Sequence, residues 1–195
     1  MGLFGPSKSE VWRTLSAMVG GSFTDGGLIK GDRVDAKVDN WTVTLDAVKE
    51  DKAIYTRLRA PFCNPSGLRF SIARTGPCTE LVKGLGFQEI IIGDHAFDEA
   101  FGVTGNNVAA VTSLLQDVKI RSILLTLPEV QFEVRDNDGW SGTQFPADCD
   151  ELYFIARGAM KNINQLKGLF DLFAEVLHEL TVIGAASEAN PGVTL

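Results

Sequence analysis

The sequence is short of the side chains that most often do chemistry. Its 195 residues hold two histidines, His95 and His178, and three cysteines, Cys63, Cys78 and Cys149. No two cysteines stand as C-x-x-C, and an odd number cannot pair off within one chain, so free thiols in a reducing compartment are expected. A Cys63–Cys78 bridge would need export, and "MGLFGPSKSEVW" has no apolar signal core. The same stretch misses a myristoylation pattern, because Pro6 stands where Ser or Thr is wanted. No long run of purely apolar residues occurs, so a membrane partner is not expected and the default setting is cytoplasmic. Phosphate loops are absent as well, since "GGLIKGD" is not followed by the G-K-[ST] step that handles phosphate and magnesium. "HEL" at 178–180 lacks the second histidine of a zinc helix, whose place Val182 holds, and G-x-S-x-G does not occur. "DNDGW" fits a tight turn better than a calcium loop, having no closing glutamate.

Positive charge is also scarce. The net charge is −7, which argues against general affinity for nucleic acid. Residues 1–88 carry 12 Lys and Arg against 9 Asp and Glu, and residues 89–195 carry 6 against 16, so the halves stand at +3 and −10. The simplest reading is two halves that attract each other across an internal seam; a sharper one is a basic face on the first half that receives an acidic partner.

What is present is clear patterning. Apolar residues at 45% and charged residues at 22% describe an ordinary globular chain. Ser7 and Glu10 have capping-box spacing before an apolar stripe of Val11, Leu15, Met18 and Val19, which predicts a first helix. From Arg33 to Arg74 the period shortens to two. Val34, Ala36 and Val38 alternate with charged residues, then Trp41, Val43, Leu45 and Ala47 with polar ones, and "AIYTRLR" and "LRFSIAR" continue the pattern. Strict alternation predicts an antiparallel meander with one wet face. "FQEIIIG" reads as a short buried strand. "NNVAAVTSLLQDVKIRSILLTLP" predicts two helices broken near Asp117, the first capped by Asn106 or Asn107 and the second by Asp117. "VQFEVRD" and "ELYFIARG" predict two more strands, and Ile163, Leu166, Phe170, Phe173, Leu177 and Leu180 a long final helix.

The expected fold class is therefore α+β: an antiparallel sheet with helices packed on one face and a long C-terminal helix. Residues 1–86 form a helix plus antiparallel strands, 87–183 a second half with the long helix, and 184–195 a disordered tail, the halves packing as one unit. Both halves run from helix to strands, which leaves a diverged duplication open without any residue-level repeat.

Two places could carry function. "FDEAFGVTGNN" at 97–107 lies just after Asp94 and His95. On a helical turn His95, Asp98 and Glu99 would share a face and could hold a divalent metal with help from "DCDE" at 148–151. The structural alternative has Phe97, Phe101 and Val103 turning inward, with Asp98 and Glu99 in solvent. The second place is the wet face of the first sheet. There Tyr55, Arg57 and Arg59 project from one strand and Arg69 with Ser71 join from the next, a set that can bind carboxylate or phosphate. Cross-strand pairing with Asp46 or Asp35 is the plainer reading of those arginines. Trp140, in a polar turn-like segment, is a further candidate contact.

The run through "EIIIGDHAFDEAFGVTGNN", "SLLQDVKIRSILLTLP", "VQFEVRD" and "ELYFIARG" resembles uncharacterised bacterial proteins of the domain-of-unknown-function kind. Phe97, Asp98, Phe101, Val103, Gly105 and Asn106 carry the resemblance, which covers about the second half of the chain. It implies a structural role for this stretch and supplies no activity. The leading expectation is a non-enzymatic binding or accessory module that contacts a protein partner or another copy of itself, with no cofactor. The alternatives are a small-molecule or lipid-binding fold, with Phe132, Phe154, Phe170 and Phe173 lining a cavity beside the last helix, and a metal-dependent enzyme using His95 and Glu99.

Overall fold

The structure, a computed structural model, describes residues 5–27, 31–50, 52–76, 86–136 and 145–195. The described residues form five helices, α1 (Lys8–Met18), α2 (His95–Ala100), α3 (Val108–Leu115), α4 (Val118–Thr126) and α5 (Ile163–Val182). The strands are β1 (Ser22–Thr24), β2 (Arg33–Val38), β3 (Trp41–Glu50), β4 (Ala53–Cys63), β5 (Phe70–Arg74), β6 (Gln88–Glu89), β7 (Phe101–Gly105), β8 (Gln131–Arg135) and β9 (Cys149–Arg157). They make one antiparallel sheet in the order β1-β2-β3-β4-β9-β8-β5-β7-β6. This is the expected α+β class. No helix among the described residues is long and apolar enough to cross a membrane.

Local chemistry explains most boundaries. The Ser7 hydroxyl accepts from the Glu10 amide at 3.2 Å while the Glu10 carboxylate accepts from the Ser7 amide at 2.8 Å, closing the capping box of α1. Asp94, Asn107, Asp117 and Asn162 cap the other four helices with side-chain oxygens. β2 turns into β3 through Asp39 and Asn40, with Asp39 at φ 50°, the left-handed conformation that Asp tolerates in a two-residue hairpin.

The meander is shorter than the pattern predicts. β5 does not follow β4 in the sheet; β9 takes that place, and β5 lies between β8 and β7. Pro65 and Gly67 (φ 62°) turn the chain out of β4, so both halves contribute to one continuous sheet. "FQEIIIG" also departs from the expected buried strand. β6 covers only Gln88 and Glu89, both exposed at the sheet edge, and Ile91 is 69% exposed between buried Ile90 and Ile92. The cause is Asp98, whose carboxylate accepts the amides of Ile92 (3.0 Å) and Gly93 (2.8 Å) and so ends the ladder.

One apolar layer joins the sheet to the helices. Val34, Leu45, Leu58, Phe154, Phe132 and Ile72 face it from successive strands, and α5 buries Leu166, Leu169, Phe170, Leu172, Phe173, Val176, Leu177 and Leu180 against them. The Phe132 ring meets Phe173 edge-on at 5.7 Å and Phe70 at 5.8 Å. Trp12 joins α1 to this layer and donates its indole N–H to the Met160 carbonyl at 3.1 Å.

Residues 184–195, expected to be a disordered tail, are placed against the sheet. The amides of Ala185 and Ala186 return to the Leu180 carbonyl at 2.8 and 2.9 Å, and the Ser187 amide donates to the Cys63 carbonyl at 3.1 Å. Ala185, Ala186 and Pro191 are buried. Composition alone suggested fraying; backbone hydrogen bonds to α5 and to the end of β4 hold residues 185–187.

Candidate functional site

The face of the sheet opposite the apolar layer is built from the polar half of each alternation. Across β2, β3, β4, β9 and β8 it presents Arg33 and Asp35, Thr44 and Asp46, Arg57 and Arg59, Glu151 and Tyr153, and Glu133 and Arg135. Arg33 grips Asp35 through Nε (2.6 Å) and Nη2 (2.7 Å), and the Thr44 hydroxyl donates to the same carboxylate at 2.6 Å. Arg57 grips Asp46 the same way, at 2.8 and 2.6 Å. Glu151, with none of its surface exposed, accepts from Arg59 Nε at 2.7 Å and from Arg135 Nε at 2.8 Å. The Arg135 guanidinium also stacks 3.3 Å from the centre of the Tyr153 ring.

These pairings set the electrostatics. Burial works against the Arg57 charge, yet the Asp46 hydrogen bonds and charge outweigh it and hold its pKa above the ordinary value. Burial pushes the Glu133 carboxyl up, against the pull of nearby Arg135, and burial likewise raises the Tyr153 phenol. Arg33 is matched along its own strand and Arg57, Arg59 and Arg135 across strands, so the face is internally neutralised and is not an open anion cradle. Two of the contacts, Arg59 to Glu151 and Arg69 to Asp150, join the basic first half to the acidic second half.

Of the residues singled out in sequence, Arg57 and Arg59 do come together on this face, with Tyr55 further along the same strand. Arg69 is engaged elsewhere. Its guanidinium bonds Asp150 at 2.8 Å and lies 3.2 Å from Asp136. The Asp150 carboxyl, which burial pushes up, also accepts from Asn64 Nδ2 at 2.5 Å. Trp140 and Cys78 lie outside the described residues.

The 94–107 stretch is a junction between elements. The Asp94 side chain caps α2 and pairs with Arg121 at 3.1 Å. Phe97 and Phe101 are buried with rings 4.9 Å apart. Asp98, expected in solvent, instead fastens the loop before α2. Gly105 leaves no room for a side chain, since an added Cβ would come within 2.9 Å of Val111 and 3.1 Å of the Arg69 carbonyl. Asn106 then bonds the Gly67 carbonyl (2.8 Å) and the Arg69 amide (2.9 Å). The His95 and Glu99 side chains are 87% and 71% exposed and meet only each other among the described residues, at 3.5 Å. The acidic group whose oxygens do cluster is Asp117, Glu175 and Glu179; there Asp117 caps α4 and Glu175 pairs with Lys119.

The sheet's polar face also holds part of the chain itself. Val193, Thr194 and Leu195 lie with Arg33, Thr42, Thr44 and Pro61 around a crevice of about 50 Å³, and Arg33 Nη1 donates to the Leu195 carbonyl. Sequence reasoning found Arg57 and Arg59, offered Glu151 only as a metal helper within 148–151, and missed its pairing with Arg59 and Arg135 and this seat for the C-terminal segment. Alternation in "CDELYFIAR" places Cys149, Glu151 and Tyr153 on one face; nothing in it says which strand lies alongside. No protein-family model matches the chain, and no curated protein or solved structure gives a significant match.

Proposed function

We propose that this chain is a non-enzymatic binding module for protein, and that its partner is an extended polypeptide lying on the polar face of β2, β3 and β4. The observation that carries this reading is the seat of residues 193–195 against Arg33, Thr42, Thr44 and Pro61. A face that holds residues 193–195 of its own chain, with Arg33 donating to the oxygen of Leu195, can hold another extended segment in the same seat. The paired charges around it favour such a ligand over a free anion, since each arginine already has a carboxylate. Phe132, Phe154, Phe170 and Phe173 are at most 3% exposed and fill the space that a lipid would need. His95 and Glu99, both largely exposed, lack the convergent third group that a metal enzyme would need. A cytoplasmic setting is part of the proposal and rests on the unpaired cysteine count.

The test uses a labelled peptide of residues 188–195 and the chain shortened after Ser187. Fluorescence polarisation should give saturable binding, and Arg33→Ala should weaken it by roughly tenfold, the worth of one hydrogen bond to a charged donor. The shortened chain and its variant are first compared by circular dichroism. Failure to saturate, or affinity indifferent to Arg33 in a folded variant, would remove the support for this reading.

A further inference from the structure

β4 and β9 end on two cysteines. Cys63 and Cys149 are the last register pair of the ladder, directly opposite each other, with Sγ atoms 3.6 Å apart and both thiols free. The next pair outward is joined by the Asn64 amide and the Asp148 carbonyl at 2.7 Å, and the Cys63 carbonyl points away from β9 to the Ser187 amide. Hydrogen bonds alternate along an antiparallel ladder, so Cys63 and Cys149 occupy a non-hydrogen-bonded site. At such a site Cα atoms lie about 4.5 Å apart and side chains approach most closely. That spacing falls inside the range of about 4.4 to 6.8 Å that a disulfide spans. Both side chains project from the polar face, so closing the gap calls for side-chain rotation and little movement of the strands.

We propose that Cys63 and Cys149 form an oxidisable dithiol, a site of reversible disulfide formation driven by low-molecular-weight disulfides of the glutathione type. The half-exposed Cys63 thiolate attacks one sulfur of the external disulfide, forming a mixed disulfide and expelling one thiolate. Cys149 then gives its proton to solvent and attacks Cys63 Sγ, which expels the second thiolate. The protein loses two electrons and two protons, and the external disulfide leaves as two thiols. Burial, with the hydrogen bond to Cys63, pushes the Cys149 thiol up to about 11, so closure is slow near neutral pH and faster as pH rises. Access to Cys63 comes from its own partial exposure, and a crevice of about 410 Å³ lined by Asn64, Pro65, Arg69 and Asp148 opens beside Cys149. The link would also secure the C-terminal segment, because Ser187 hangs from the Cys63 carbonyl. This inference stands apart from the polypeptide-binding reading and survives its failure.

The test incubates the folded full-length chain with excess oxidised glutathione and maps it by non-reducing peptide mass spectrometry. The expected product is a monomer lighter by two hydrogens, with the Cys63 and Cys149 peptides joined and Cys78 outside the link. The loop it closes is long, so the midpoint of thermal unfolding should rise by about 5 to 10 °C and return on adding dithiothreitol. Cys149→Ser should instead hold glutathione on Cys63 as a stable adduct. Unchanged Cys63 and Cys149 thiols, a persistent glutathione adduct on either of them in the wild-type chain, a link through Cys78, a disulfide-joined dimer, or a fall in the midpoint would each overturn the assignment.

Discussion

Phe132→Ala should cost about 3 to 5 kcal/mol of folding stability, read from urea unfolding followed by circular dichroism. The ring is wholly buried at the centre of the sheet and touches Phe70 on β5 and Phe173 on α5. Removing it takes away both the transfer free energy of the ring and the contacts its neighbours lose around the void. On a chain of this size that corresponds to a drop of roughly 6 to 20 °C in the unfolding midpoint. The experiment also separates a packed core from a ligand cavity. A ring that lined a vacant pocket would leave no new void on truncation, and its loss would cost under about 1 kcal/mol.

Glu151→Ala should have the second large effect, about 3 kcal/mol, although it lies on the polar face. Its carboxylate is fully buried and accepts from two guanidinium groups, Arg59 and Arg135. Truncation leaves Arg59, itself only 12% exposed, without its partner in a low-dielectric setting. The penalty comes from the stranded charge and not from the strength of the pair, so a second change should relieve it. Arg59→Leu combined with Glu151→Leu is expected to recover at least half of the loss. Strict additivity of Arg59→Leu and Glu151→Leu, each also measured alone, would mean that the pair is uncoupled, against the 2.7 Å contact between them.

The fold was legible in the sequence wherever one element carried its own signal. Ser7 with Glu10, Asp117 inside the helical run, and the spaced leucines and phenylalanines from 163 to 180 each marked an element that formed there. What escaped was partnership over long separations. β4 pairs with β9 through Arg59 and Glu151, 92 residues apart, and alternation alone cannot say which strand lies alongside. The same gap hid the nearness of Cys63 and Cys149, 86 residues apart, and left Cys63 to be weighed against Cys78, its nearer neighbour in sequence. Asp98 escaped for a different reason. Its place in the motif suggested a solvent-facing charge, while its carboxylate was needed by two backbone amides that the short β6 leaves unpaired.

The polar face was half legible. Its arginines and aspartates were visible as one side of each strand; Arg57 pairs with Asp46 across the ladder, and Arg33 with Asp35 along its own strand. The C-terminal segment was not. A stretch of Gly, Ala, Ser and Asn reads as frayed because composition reports what a segment could do when free, not what a nearby carbonyl or guanidinium offers it.

The central claim is that this face holds a polypeptide segment, and proton–proton NMR contacts on the intact chain test it most directly. Protons of Val193 and Leu195 should show contacts to Thr42 on β3 and Pro61 on β4, with which they share a crevice. Arg33→Ala should weaken those contacts while leaving the pairing of β3 with β4 intact. Chemical shifts of residues 193–195 equal to those of the free peptide 184–195, with no contact to β3 or β4, would contradict the account, because the face would then hold nothing.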